Sequence, residues 1–113
     1  QVRNPQAQRT KPAMNLKDAD KVVEIAADHF WVSKDDVLSS RRFLPVVKCR
    51  AAIAKILKHR FECHPHNIEL VLRRGKPMGQ YYLNLAHQFE DSRDWAKRYK
   101  AALIEVQDQF SQE

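Results

Sequence analysis

Apolar residues in this chain recur at intervals of three and four in successive stretches, with almost no alternation between them. Val22, Val23, Ile25, Ala26 and Phe30 share one broad helical face. So do Val46, Cys49, Ile53, Ile56 and Leu57, and later Trp95, Tyr99, Ala102, Leu103 and Val106. Two shorter sets keep the same period: Ile68, Val71 and Leu72, then Tyr82, Leu85, Ala86 and Phe89. The only glycines, Gly75 and Gly79, lie close together. A chain with so little Val/Ile/Thr alternation and so few glycines does not build a sheet protein. The expectation is an all-α domain of about six helices. A chain of 113 residues suits one domain with one small core and leaves no room for a deep catalytic cleft.

Local signals divide the pattern. Helices are expected over 16–32, then a short one capped by Ser33 with Asp36 as its acidic partner, then 45–60 with Pro45 in the first turn. Others follow over 64–72, over 77–90, and from an Asp91-Ser92 cap to about Phe110. Residues 1–15 have no periodicity, two prolines, three cations and no acid, and read as a flexible basic arm or linker ahead of a domain over 16–113. A start at Gln1 rather than Met fits a fragment or a processed chain. No apolar run is long enough to span a membrane, and no signal-peptide pattern opens the chain, so a cytoplasmic place is the default expectation.

The net charge of +6 is unevenly spread. Between Arg41 and Lys76 there are ten Lys/Arg and only two acids, Glu62 and Glu69. Such a block reads as a surface for a polyanion, and double-stranded DNA is the polyanion whose counterion release drives binding most generally. Two short helices joined by the basic turn Arg73-Arg74-Gly75-Lys76-Pro77 suggest a helix-turn-helix, with the second helix entering the major groove. Lys76, Met78, Gln80, Tyr81 and Asn84 are then the side chains placed to meet bases, and Gln80 can read adenine through its amide. The loop Ser40-Arg41-Arg42 is a second basic element, placed to probe a minor groove.

These pieces in this order resemble the C-terminal duplex-binding domain of the bacterial chromosomal replication initiator family, DnaA. The stretch Val37-Leu38-Ser39-Ser40-Arg41-Arg42 is similar to the family's basic loop, and Val46 to Ala54 follows its Val-x-x-x-Arg-x-x-x-Ala helix without a gap. The resemblance covers roughly residues 20–106 and implies a Trp-repressor/DnaA-like helix-turn-helix fold. It implies that Arg42 enters the minor groove, and that Arg50 and Lys58 hold phosphates. Lys48, Arg73 and Arg74 join them as phosphate-neutralising candidates on charge alone. At the recognition element the chain departs: the family reads close to Gly-Gly-Arg-Asp-His-Thr-Thr-Val, whereas this chain reads Arg74-Gly75-Lys76-Pro77-Met78-Gly79-Gln80-Tyr81-Tyr82. The family's base-reading residues are therefore not carried over.

Two main functional expectations stand, with RNA binding through the same basic patch as a further alternative that would favour exposed aromatics for stacking. One is a duplex-binding regulator of replication or transcription, from a bacterium or phage. The other is a protein-interaction module on the same fold, docking on replication or transcription proteins. No enzyme is expected: no Gly-rich phosphate loop and no local nucleophile motif occurs, so no nucleotide or other cofactor is implied. His59, Cys63, His64 and His66 are close in sequence but lack the paired spacing of a structural metal site; His64 and His66 are expected to cap or solvate the next helix. Cys49 and Cys63 read as reduced and structural.

Overall fold

The computed structural model describes residues 15–110, and among these all regular structure is helical. The helices are α1 (Leu16–Phe30), α2 (Lys34–Val37), α3 (Leu44–Phe61), α4 (Pro65–Leu72), α5 (Met78–Phe89) and α6 (Arg93–Phe110). The arm expected over 1–15 lies outside the described residues except for Asn15. That residue belongs to α1 as its N-cap, its side-chain oxygen accepting the Asp18 N–H at 2.8 Å.

Three of the six helix starts follow from short side chains three residues upstream, Asn15 among them. Ser33 Oγ accepts the Asp36 N–H at 3.0 Å, and Ser92 Oγ accepts that of Trp95 at 3.3 Å. The His64 ring nitrogen accepts the His66 N–H at 3.1 Å to open α4, so this histidine acts as a cap. Pro45 occupies the first turn of α3, where its missing N–H costs nothing. Three helices end on a left-handed residue that is not glycine: Trp31 after α1, Glu62 after α3 and Arg73 after α4.

The core departs from sequence expectation at α3. One apolar stripe was expected, yet every residue from Cys49 to Ala54 is buried, including Ala51, Ala52 and Arg50. Three alanines let neighbours approach α3 from several sides, and α1, α2, α4, α5 and α6 all pack on it. The Trp95 and Tyr99 rings stack at 5.2 Å, as expected for a core stripe, and the Trp95 indole N–H donates to the Lys48 carbonyl at 3.0 Å. Cys49 and Cys63 are free and buried, and burial pushes the Cys49 thiol up to about 12 and also raises Cys63. No helix among the described residues is long and apolar enough to cross a membrane.

Helix α5 packs on both α3 and α4. Gly79 makes its contact with α4 fit: a Cβ there would stand 2.2 Å from the Pro65 carbonyl oxygen. Gly75, by contrast, has open space around it.

Candidate nucleic-acid interface

Three arginines from three elements converge on the segment 36–39 that leads into the basic loop. Arg50 is fully buried. Its Nε donates to the Val37 carbonyl at 2.8 Å, its Nη2 to those of Ser39 at 2.7 Å and Asp36 at 3.2 Å, and its Nη1 to the Tyr82 hydroxyl at 3.3 Å. Arg74 reaches across from the α4–α5 turn, and its Nη2 donates to the same Ser39 carbonyl at 2.6 Å. Arg41 closes the loop on itself, with its N–H donating to Ser39 Oγ at 3.1 Å and its Nε 3.4 Å from the Asp36 carboxylate. Ser39 is thus a joint: one carbonyl, two guanidiniums, and through them the loop 39–42 is tied to the turn 73–77.

This overturns one expected role. Arg50 was expected to hold a phosphate, but its charge lies inside the molecule with its donors committed to carbonyls and a tyrosine. A guanidinium is always charged, and burying it demands that its fork be matched by acceptors. The carbonyls ending α2 supply them and carry the negative end of that turn. Arg50 therefore shapes the loop from beneath.

The other candidates divide. Arg42, Arg73 and Lys76 are exposed and form no ion pair among the described residues, and all three belong to the joined loop and turn. Gln80 and Tyr81 are exposed on the first turns of α5, with Gln80 Nε2 donating to Asn84 Oδ1 at 3.0 Å. Met78, expected to face a groove, is half-buried against the core, because the close α4–α5 approach turns the helix start inward. Lys48 does not join the edge: two residues from Arg50, it lies about 160° around the helix. It lines a cleft with Trp31, Leu44 and Arg98 instead. Lys58 is exposed but about 12 Å along α3 from Arg50, and nothing ties it to the joint.

The N-terminus of α5 is already occupied by a charge of the molecule's own. Glu69, buried on α4, accepts the Gly79 N–H at 2.9 Å and stands 3.2 Å from the His66 ring nitrogen. The Gly79 hydrogen bond, with His66 and Lys76 nearby, holds its carboxyl below the usual value of 4.5. An anion from α4 thus meets the positive end of α5, so this helix offers a ligand its side chains rather than free backbone N–H groups. Sequence reasoning missed Glu69; the available signal was one of only two acids in a strongly basic block.

The exposed face of α5 (Gln80, Tyr81, Asn84, His87, Gln88) carries no fixed charge, while its flank at Arg42, Arg73 and Lys76 is cationic. Charged flanks can grip phosphates, and a neutral amide-and-phenol face can exchange hydrogen bonds with base edges. No group of His, Cys, Asp and Glu able to hold a metal ion occurs among the described residues. No protein-family model matches the chain, and no match is found among curated proteins or among solved structures.

Proposed function

We propose that this chain binds double-stranded DNA through the edge formed by loop 39–42, turn 73–77 and the start of α5, in the manner of an initiator-like helix-turn-helix. The single observation that carries the reading is the Ser39 joint. By holding loop and turn together through Arg50 and Arg74, it presents Arg42, Arg73 and Lys76 as one cationic rim beside the Gln80–Tyr81–Asn84 face. Arg42 then probes the minor groove, Arg73 and Lys76 neutralise phosphates, and α5 meets the major groove with Gln80, Tyr81 and Asn84. The outcome fits a regulator of replication or transcription rather than an enzyme.

The test is binding to random-sequence duplex across a salt series, followed by selection from a random duplex pool. The three rim cations, Arg73 and Lys76 on phosphates and Arg42 in the minor groove, should together displace enough counterions for a log–log salt slope of roughly −3, and selection should yield a consensus. No binding at low salt would overturn the reading; binding without enrichment would reduce it to backbone attachment. The altered recognition signature favours a second reading, docking on a replication or transcription protein with little DNA affinity, and the same salt series separates the two.

A further inference from the structure

The left-handed position that ends α1 holds Trp31, with φ 60° and 83% of its surface exposed. Two costs meet at this residue. Glycine would take that backbone without strain, and a large aromatic ring would ordinarily be buried.

Beside it lies a cleft of about 300 Å³, lined among others by Trp31, Leu44, Pro45, Lys48, Asp94 and Arg98. Leu44 is itself more than half exposed. Arg98 lies over the Trp31 ring at 5.1 Å, donates from Nε to Asp94 at 3.0 Å, and donates from Nη1 to the His29 carbonyl at 3.0 Å. Asp94 and Arg98 therefore balance one another. The Lys48 ammonium is left as the cation of the cleft with no carboxylate partner among the described residues.

We propose that this cleft docks an acidic segment of a partner protein, which inserts one aromatic or leucine side chain beside Trp31 and Leu44 and sets an adjacent carboxylate on Lys48. An exposed tryptophan and arginine at the rim of an apolar hollow form the usual anchor of such contacts. Charge selects a peptide over a nucleic acid: a strand would carry phosphate after phosphate past Asp94, while a peptide places its carboxylate only at Lys48. The cleft is distinct from the basic edge, because Lys48 faces away from the side of α3 that holds Arg50. The chain would then join DNA on one side to an acidic protein on the other.

The test is panning of a random-peptide display library on the whole chain, with Trp31→Gly as counter-target. Recovered peptides should pair an aromatic or leucine with a neighbouring Asp or Glu. Their affinity should fall about tenfold or more in Trp31→Gly and in Lys48→Glu. Trp31→Gly should melt no lower than the parent, since glycine relieves the strained position, and should bind duplex as before. Peptides without a carboxylate, equal binding to Trp31→Gly, or no enrichment at all would overturn the proposal. So would self-association of the chain that Trp31→Gly abolishes, which would make the occupant a second copy.

Discussion

The cations around loop 39–42 and turn 73–77 and those between α1 and α6 are spent in opposite ways. Along α1, α2 and α6, several charges meet charges, Lys34 with Asp20 and Glu24 and Arg98 with Asp94, and the His29 ring stands 2.8 Å from the Glu105 carboxylate. Lys55 of α3 likewise pairs with Glu90. At the basic edge, Arg50 and Arg74 donate to carbonyls, and Arg42, Arg73 and Lys76 form no ion pair among the described residues, though Lys76 is near Glu69. Only Arg41 is paired there, with Asp36. In the first region several cations are paired within the molecule, although Arg93, Lys97 and Lys100 form no ion pair among the described residues; at the edge, pairing is the exception. Net charge alone would not separate them, because a cation's availability depends on whether an acceptor of the same chain already occupies it.

The largest effect expected is at the hidden member of the basic edge. Arg50→Ala should cost about 4 kcal/mol of stability, read by denaturant midpoint, because it takes the guanidinium from the Val37 carbonyl and the Tyr82 hydroxyl, removes one of the donors on the Asp36 and Ser39 carbonyls, and opens a cavity. A small stability loss with a large fall in duplex affinity would instead return Arg50 to the surface. Gly79→Ala should cost about 3 kcal/mol, since its Cβ would meet backbone rather than a yielding side chain. Gly75→Ala should stay within about 0.5 kcal/mol, and an equal cost at both glycines would refute the close α4–α5 approach.

A pair of arginines sharpens the contrast directly. Arg42→Ala should leave the melt unchanged and reduce the salt slope of duplex binding by about one unit. Arg98→Ala should do the reverse, lowering stability by about 1 kcal/mol with no change in slope. Matching effects from both would erase the distinction between the two regions.

The smallest effect is in acid. Glu69 and Glu90 both have folded values held below 4.5, Glu69 by the Gly79 N–H and Glu90 by the Lys55 hydrogen bond. With folded values depressed, the unfolded chain takes up protons first. Their contribution is complete above about pH 4.5 and declines as pH falls through the lower folded values. Glu69→Gln and Glu90→Gln should each flatten part of that decline in a midpoint-against-pH series. Added salt should shrink the Glu90 share more, because its partner is a cation rather than a backbone N–H.

The caps were legible in sequence because they act over two or three residues: Ser33, His64 and Ser92 each meet a backbone N–H within their own turn. The stripes of α1, α5 and α6 were legible for the same reason, since helical period places neighbours by arithmetic. Arg50 was not. Its acceptors on the α2 side are carbonyls, which every residue owns, so no side-chain identity at 36–39 announces them. The one available hint was a lone cation inside the run Cys49 to Ala54. Glu69 escaped notice likewise, its partner being the N–H of a glycine ten residues away. Of the cations expected on a basic surface, Arg41, Arg42, Lys58, Arg73 and Lys76 are exposed, whereas Arg50 lies inside.

By itself, then, the amino-acid order settles that this chain is helical, roughly where each helix begins and ends, and which segment concentrates positive charge. Those properties arise from interactions within one or two turns. Only the tertiary structure decides that Arg50 is an internal fastener, that Ser39 joins loop to turn, and that Lys48 belongs to the Trp31 cleft rather than the basic edge. Such outcomes depend on backbone groups and surfaces brought together from distant parts of the chain, and a backbone carbonyl has no letter in the sequence.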